Sequence, residues 1–313
     1  FWSAAPIMRT SKTISVNISK NAITTTRQAR LLSQLATVGL FALALIWLVP
    51  LIWTLLVSVR PSDEPLIYQI RGVAGTPLQT VVNIFYGSRL TLENFREAFN
   101  VVNWGQEYIT TLIFVFGVLA VQIVTIVLSA YAFARMEFFG KNILLGLILI
   151  QLMIPSAVLI VPNFATIRSL GLFDTKLALM LPYFGSAFGT FLLRQTFKQV
   201  PIDLEDAARI DGCNWWGILW TVYIPSSIPT LTAFALVSIS THWNEFLWPL
   251  MITQSDYNRP LTVGLGQLQR TNEVGALYGQ ITAGVLIVTA TLLVLFLIFQ
   301  RQFINSFLQS GLK

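Results

Sequence analysis

The stretch PIDLEDAARIDG, residues 201–212, separates two long apolar segments and is rich in acidic residues. Asp203 is placed to cap a helix, and Glu205 and Asp206 would then fall in the first turn, where carboxylates complement the helix dipole. Gly212 suits the left-handed position just past a helix end. The pattern predicts a helix of about two turns that exposes acidic and small residues.

A second short helix is predicted directly after the first. The following residues, CNWWGILWTVYIP (213–225), begin with a good capping residue, Asn214, and end at a helix breaker, Pro225. We therefore expect a tryptophan-rich helix that ends ahead of Pro225. Helices this short are marginal in water, so the pair should pack against the inner ends of the protein's own helices or against a partner.

Outside these two helices the sequence is typical of a polytopic membrane protein. The 313 residues are 55% apolar and only 11% charged, with a mean hydropathy of +0.68. A membrane-spanning helix needs about 20 mostly apolar residues, and uncharged stretches near that length recur along the chain. We predict an all-α fold, a bundle of six transmembrane helices at about 36–59, 108–133, 142–162, 177–196, 228–252 and 277–300.

The distribution of Lys and Arg predicts how these helices are oriented. Both are concentrated in residues 1–30 and recur in the loops on the same side of the membrane, which favours a cytoplasmic location for that side and for both termini. The predicted layout is a cytoplasmic N-terminal segment (1–30), a transmembrane domain (31–313), an inner loop (198–229) and outer loops (60–107 and 253–276).

Shorter connecting elements are also predicted. In the first outer loop, Leu92, Phe95 and Phe99 share one helix face, which indicates a short amphipathic helix on the outer surface. Residues 134–141 should form a tight inner turn and residues 163–176 an outer one.

Residues 205–229, EDAARIDGCNWWGILWTVYIPSSIP, resemble the EAA loop of permease subunits from binding-protein-dependent ABC importers. That loop has the pattern Glu-Ala-Ala, three residues, Gly, nine residues, and Ile-x-Leu-Pro. Here Asp206 stands for the Glu, Gly212 is the glycine, and Val222 and Ile224 replace the Ile and Leu ahead of the proline. The replacements are conservative.

The resemblance extends over most of the chain. Residues 1–30 and 62–90 fit it poorly. Six further stretches are similar to the second permease of maltose-type or multiple-sugar importers: AYAFARMEFFGK (130–141), MIPSAVLIVPNFATIRSLGLFDT (153–175), GTFLLRQTFKQVPIDLEDAARIDG (189–212), WNEFLWPL (243–250), RPLTVGL (259–265) and FQRQFINSFLQSGLK (299–313).

The resemblance implies an ABC importer type I permease in the cytoplasmic (inner) membrane that moves a sugar or oligosaccharide inward. It implies a homologous second permease, two cytoplasmic ATPase subunits and an extracytoplasmic sugar-binding protein as partners. ATP and Mg²⁺ would be used by the ATPase subunits, and this chain would bind no cofactor. The residues expected to couple to the ATPase are Glu205, Asp206, Ala207, Ala208, Asp211, Gly212 and Pro225. The competing interpretation is that the acidic residues only cap and solvate a loop.

Two further sets of residues are candidates for contacts with substrate or partner. Trp243, Asn244 and Glu245 are predicted deep in the fifth span, where an ionisable group is a functional suspect, and they could line a sugar path. The competing interpretation is an anchor of tryptophans at the outer interface with a structural carboxylate. The outer-loop residues Gln254, Ser255, Asp256, Tyr257 and Asn258 match the position at which the family's second permease contacts the binding protein, or they form an ordinary solvated turn.

Catalysis by this chain is not expected. The sequence has no phosphate-binding G-x-x-x-x-G-K-[ST] loop, and the single histidine, His242, and single cysteine, Cys213, leave no plausible triad or metal site. The chain is therefore predicted to be a non-catalytic subunit. Two other classes stay open, namely an ion-coupled secondary transporter or channel that acts without an ATPase, and a membrane scaffold without transport activity.

Overall fold

The structure is a computed structural model that describes residues 15–61, 90–271 and 278–311. These residues are mostly α-helical, and no β-strand occurs among them, which confirms the predicted all-α class. Much of the predicted N-terminal segment and outer loop 60–107, and the end of loop 253–276, lie outside the described residues. The chain divides into two compact units, Phe1–Leu56 and Val57–Lys313.

Helix α1, Ser15–Ser58, contains the first candidate span, Leu32–Ser58. Large apolar side chains are exposed all around it, among them Leu35, Phe41 and Trp47. A helix that is apolar on every side is suited to a lipid environment.

Two helices follow in the second unit: α2, Glu93–Val101, and α3, Trp104–Arg135. The predicted amphipathic helix exists as α2, but it buries Asn94 and Ala98, while Leu92 and Phe99 are exposed. The Asn94 amide donates to the backbone carbonyls of Ser58 (2.9 Å) and Arg60 (2.5 Å), and this polar contact orients the helix.

The predicted third and fourth spans are both broken in the structure. Helix α4, Lys141–Gln151, meets α5, Ser156–Ser169, at 98°, and α6, Lys176–Tyr183, meets α7, Ala187–Gln199, at 46°. The prediction of a continuous helix over 142–162 and of a turn over 163–176 was therefore wrong. Pro155 interrupts the hydrogen bonding of the first pair, which then continues as a helix to Ser169.

Polar side chains of α3 satisfy the carbonyl groups that the second break leaves free. Gln122 Nε2 donates to the carbonyl of Tyr183 (2.8 Å), and Thr125 Oγ1 donates to that of Phe184 (2.8 Å). Backbone groups inside a membrane must be satisfied within the protein, so these two bonds make the break between α6 and α7 tolerable there.

Six helices follow in the described parts of the remaining chain. The predicted fifth span (228–252) was wrong as a continuous helix, because α10 ends at Trp243 and a separate helix follows. The elements are α8, Ile202–Ile210; α9, Trp215–Ser226; α10, Ile228–Trp243; α11, Leu247–Ile252; α12, Leu261–Thr271, inside the predicted second outer loop; and α13, Tyr278–Gly311.

The number of membrane crossings depends on how the bent pairs are counted. Among the described residues three helices, in α1, α3 and α13, are long and apolar enough to cross a membrane alone. Each bent pair (α4–α5, α6–α7 and α9–α10) passes the same test together, which gives up to six crossings.

Helix α3 lies at the centre of the second unit and packs against α7, α10 and α12. Its first half contributes Phe114 and Val118 to one apolar cluster, which includes Trp243 of α10. Its second half contributes Ile126 and Tyr131 to another cluster, with side chains of α7, α9 and α10. One helix thereby connects the two ends of the bundle.

Candidate coupling site

Helix α8 starts and ends at residues with clear local reasons. Pro201 precedes the first helical residue, and its fixed φ favours a helix start. The helix ends in a Schellman motif: Gly212 has a φ of +83°, its N–H donates to Arg209 O (3.0 Å), and Cys213 N–H donates to Ala208 O (2.9 Å). The left-handed glycine was predicted. Asp203 as N-cap was wrong, because the helix already begins at Ile202 and Asp203 lies in its first turn.

Glu205 is the buried centre of the site, with only 2% of its surface exposed. Arg209, one turn further along α8, donates from Nη2 to Glu205 Oε1 at 2.5 Å. The Tyr223 hydroxyl donates to Glu205 Oε2, and Arg135 Nε lies 3.8 Å from the same oxygen. The sequence interpretation placed Glu205 with the exposed acids, which was wrong: it faces inward because a cation and a hydroxyl from distant segments meet it there.

Arg135 ties three segments together at the end of α3. Its Nη2 donates to the carbonyls of Phe197 (2.9 Å) and Val200, which terminate α7. Its guanidinium lies 5.2 Å from the centre of the Tyr223 ring in α9, while its Nε faces Glu205 in α8. A guanidinium suits this position because it makes several directed hydrogen bonds and a ring contact at once.

The other predicted coupling residues mostly face solvent. Ala208 is half-buried on the inward-facing side of α8. The exposed members of the set are Asp206, Ala207, Asp211, Gly212 and Pro225. Ile210 beside them is 86% exposed, an unusual position for an isoleucine on a charged helix. The structure therefore divides the predicted set into one buried anchor, Glu205, and an exposed face that contains both charge and apolar surface.

Helix α9 differs from its prediction at its end. Asn214 caps it as predicted, accepting from Gly217 N at 2.9 Å. The helix does not stop ahead of Pro225 but runs through it to Ser226, because a π-helical turn at Leu219–Tyr223 shifts the hydrogen-bond register just before the proline. The same turn aims the buried Tyr223 side chain at Glu205.

The candidate substrate-path residues are not brought together as a lining. Trp243 is 1% exposed and packs in the apolar cluster against Tyr108. Asn244 ends α10 and bonds back to Ser240 O at 2.7 Å. Glu245 lies in the break before α11, where its carboxylate accepts from Trp248 N at 3.5 Å, and not deep in a helix as predicted.

The segment 254–258, predicted in an outer loop, is fixed by a residue that sequence reasoning missed, Asp174. The Asp174 carboxylate accepts from the backbone N–H of Gln254 (2.9 Å) and Ser255 (3.2 Å), and its carbonyl accepts from the Asn258 amide (2.6 Å). Partial burial alone would raise the pKa of this carboxyl, but the hydrogen bonds outweigh that effect and hold its pKa below the ordinary value. Asp174 also has a positive φ of 58°.

The remaining side chains of the segment stay accessible on this fixed backbone. Tyr257 is 62% exposed, and its ring centre lies 3.7 Å from Lys176 Nζ. Its carbonyl accepts from Gln106 and Thr110 of α3, both at 3.0 Å. Asp256 pairs with Arg259 at 2.5 Å. The segment therefore sits at the first turns of α3, whereas Glu205 sits at its last.

Comparison with known proteins places this arrangement in a family. Residues 122–307, more than half of the chain, match the family described as "Binding-protein-dependent transport system inner membrane component". The chain belongs to this family. The predicted resemblance to permeases of binding-protein-dependent importers is thereby confirmed, and the match includes all three bent pairs and the candidate coupling site.

The permease has relatives along nearly its full length. It is 34% identical to the arabinooligosaccharides transport system permease protein AraQ of Halalkalibacterium halodurans, over 90% of this chain and 97% of that protein. It is 30% identical to the sn-glycerol-3-phosphate transport system permease protein UgpE of Yersinia pestis, over 67% and 75%. Its fold resembles a chain of a bacterial ABC transporter involved in the import of the acidic polysaccharide alginate, with a TM-score of 0.73, 20% identity, and coverage of 88% and 97%.

Membership of this family makes the permease a multi-pass membrane protein of an ABC-type importer. Sequence reasoning found α8 because the glycine at its end and the spacing of its residues are local signals. It missed the roles of Arg135 and Tyr223. Arg135 could have been found as an arginine at the end of a long apolar helix, and Tyr223 as the tyrosine within the EAA pattern.

Proposed function

We propose that this permease forms part of the membrane pathway of an ATP-driven importer for a sugar or oligosaccharide. The observation that carries the proposal is α8, a short capped helix with an exposed face, whose buried Glu205 is linked by Arg135 to the end of α3. Such a helix suits the transfer of motion from a partner into the bundle. The relationship to AraQ along nearly the whole chain supports an oligosaccharide substrate class.

In this proposal the exposed residues of α8 dock in a cleft of a cytoplasmic ATPase subunit. When the ATPase dimer closes on ATP, it pushes α8. The push reaches α3 because Glu205 cannot move without Arg135, which also holds the carbonyls at the end of α7. The bundle then changes from inward-facing to outward-facing.

The proposed assembly contains this permease, a homologous second permease, two ATPase subunits and an extracytoplasmic sugar-binding protein. ATP and Mg²⁺ bind to the ATPase subunits, since this sequence has no phosphate-binding loop. Both termini and α8 lie on the cytoplasmic side of the inner membrane, and the segment 254–258 faces the binding protein. Lys and Arg are concentrated in residues 1–30 and in the loops predicted on the same side of the membrane, which supports a cytoplasmic location for that side.

Uptake measured with two energy sources separates this function from ion-coupled transport. Cells or proteoliposomes that carry the complete complex should take up substrate when a proton uncoupler is present and should stop when ATP is depleted. The reverse pattern would support the secondary transporter.

The substrate class is tested on the co-purified binding protein. Mass spectrometry of its bound ligand should identify a sugar or oligosaccharide. Recovery of a glycerol phosphate, the compound class in the name of UgpE, would contradict the proposed substrate while leaving the ATP-driven mechanism intact.

A further inference from the structure

A cavity of about 600 Å³ lies at the start of α3, apart from the coupling site. Its wall combines the end of α2, the first turn of α3, the outer-loop segment and α12. The polar side chains around it are Asn100, Asn103, Glu107, Asp256, Arg259 and Gln267. One of these residues, Asp256, belongs to the segment 254–258 proposed to face the binding protein.

Glu107 is the unusual member of this wall. Only 2% of its surface is exposed, and its Oε2 has no hydrogen-bond partner among the described residues. It packs against Gly264 of α12 so closely that a Cβ added to that glycine would lie 1.7 Å from Oε2. A buried carboxylate oxygen without a donor is costly, and Glu107 lines the cavity, so a donor that enters there would relieve this cost.

Among the described residues, no cationic side chain forms a direct ion pair with Glu107. Arg259, the one cationic side chain in the wall, already pairs with Asp256 at 2.5 Å and donates to Gln254 O at 3.3 Å. The remaining polar side chains are amides. A ligand that fits must therefore bring a positive charge or hydrogen-bond donors to Glu107.

We propose that the cavity receives a lysine or arginine side chain from the surface of the extracytoplasmic binding protein, with the Glu107 carboxylate as its acceptor. This inference rests on the proposed function, because it assigns the binding protein as the partner at this end of α3. Asp256 lies both on the cavity wall and in the exposed segment 254–258. A basic side chain of a binding protein docked on that segment would therefore be next to the cavity.

A metal ion and a sugar fit the same cavity less well. Metal ions are held by several converging ligands, and among the described residues no group of three or more His, Cys, Asp or Glu side chains is placed to hold one. The aromatic faces suited to stacking on a sugar are few here, since Phe99 and Trp104 are the aromatic members of the wall.

The test uses the complete transporter in nanodiscs and measures ATP hydrolysis as purified binding protein is added. Glu107→Gln keeps the size of the side chain and removes its charge. It should raise the half-saturating concentration of binding protein roughly tenfold to a hundredfold, the effect expected for loss of a charge-assisted hydrogen bond. The matched control is Glu93→Gln on α2, which makes the same change at an exposed position outside the cavity wall and should leave that concentration unchanged.

A second measurement identifies the partner group and keeps the proposal testable if Glu107→Gln assembles poorly. Alanine is substituted in turn for each lysine and arginine on the docking face of the binding protein. One substitution should weaken stimulation of the wild-type complex and have no further effect on the Glu107→Gln complex. Asp256→Asn, at the exposed rim, should also weaken stimulation, because Arg259 then becomes free to neutralise Glu107.

Two results would overturn the inference. One is an unchanged half-saturating concentration in both Glu107→Gln and Asp256→Asn; the other is a scan in which no basic residue is coupled to Glu107. If the binding protein fails to stimulate even the wild-type complex, the proposed function itself fails, and that outcome is separate from the first two.

Discussion

Glu205 and Asp174 each hold a loop at one end of α3, but they do so with different partners. Glu205 is buried and is bound by side chains, the guanidinium groups of Arg135 and Arg209 and the hydroxyl of Tyr223. Asp174 binds the backbone N–H groups of Gln254 and Ser255 at the surface. The first arrangement joins one helix to another, whereas the second fixes the path of a loop.

The difference has consequences for what each end of the molecule can do. Because Glu205 is held by side chains from α3 and α9, a displacement of α8 must be followed by those helices. Asp174 is held by the backbone N–H groups of Gln254 and Ser255 and by the Asn258 amide, so the side chains of Gln254 and Tyr257 stay available to a partner. The end of α3 at Glu205 is suited to transmit motion, and the end near Asp174 is suited to present side chains on a fixed backbone.

The largest loss of transport should follow from removal of the Glu205 carboxylate. Glu205→Ala leaves Arg135 without its carboxylate, and breaking a buried ion pair by loss of one partner costs about 3–5 kcal/mol. ATP-dependent uptake should be lost, and less ATPase should co-purify with the permease. Asp203→Ala, an exposed acid in the same first turn, is the control and should retain both. Uptake that survives in Glu205→Ala would show that α8 does not transmit through this anchor.

A smaller loss of transport is expected from a substitution that strains only the C-terminal end of α8. Gly212→Val forces a β-branched residue to a φ of +83°, which costs about 1–2 kcal/mol or more. There is open space for the added side chain, so the strain is in the backbone and not in packing. The variant should insert normally but hydrolyse ATP with little uptake.

The control for Gly212→Val is Gly146→Val in α4. Gly146 also has open space around it but has no positive φ. This variant should transport normally. Equal losses in the two variants would assign the effect to added bulk and not to the left-handed cap.

These residues also mark how far the sequence could predict the structure. The end of α8 at Gly212 and the cap at Asn214 were predicted because a Schellman glycine and an Asn cap act within a few residues. The family was recognised for a related reason, since the spacing of the EAA loop is local. The prediction that the acids of α8 are exposed was wrong for Glu205, because Arg135 and Tyr223 hold it inward and only the fold brings them near it.

The broken helices could not be predicted for the same physical reason. Hydropathy reports that a segment is apolar but not that it bends, and a bend needs partners for the carbonyls it frees. Gln122 and Thr125 supply those partners between α6 and α7 from a helix far away in sequence. Likewise, α10 ends at Trp243 and α11 begins at Leu247, whereas hydropathy alone predicted that Asn244 and Glu245 belong to one longer helix.

Loss of exposed side chains from the segment 254–258 should reduce transport less than loss of Glu205. Gln254→Ala with Tyr257→Ala removes two exposed side chains and keeps the backbone that Asp174 holds. We expect a few-fold loss of stimulation by the binding protein and unchanged co-purification of the ATPase. Deletion of 254–258 should impair uptake more, since it also removes the Tyr257 carbonyl that Gln106 and Thr110 bind. Unimpaired uptake after the deletion would exclude this segment as a contact.

The smallest effect should be a pH-dependent change in the hydrogen-exchange protection of the Gln254 and Ser255 amides. Hydrogen bonds from Gln254 and Ser255 hold the pKa of Asp174 below its ordinary value of 3.8. A carboxyl whose pKa is lowered by folding stabilises the folded loop above its unfolded pKa, and this contribution is lost as the pH falls through the lower folded value. Hydrogen exchange of the two amides, corrected for the intrinsic rate, should be slower in the wild type than in Asp174→Ala from pH 7 down to about 4. The difference should disappear only at lower pH. If it disappeared already near pH 6, another group would be holding the loop, and the contrast between a side-chain anchor at Glu205 and a backbone anchor at Asp174 would be wrong.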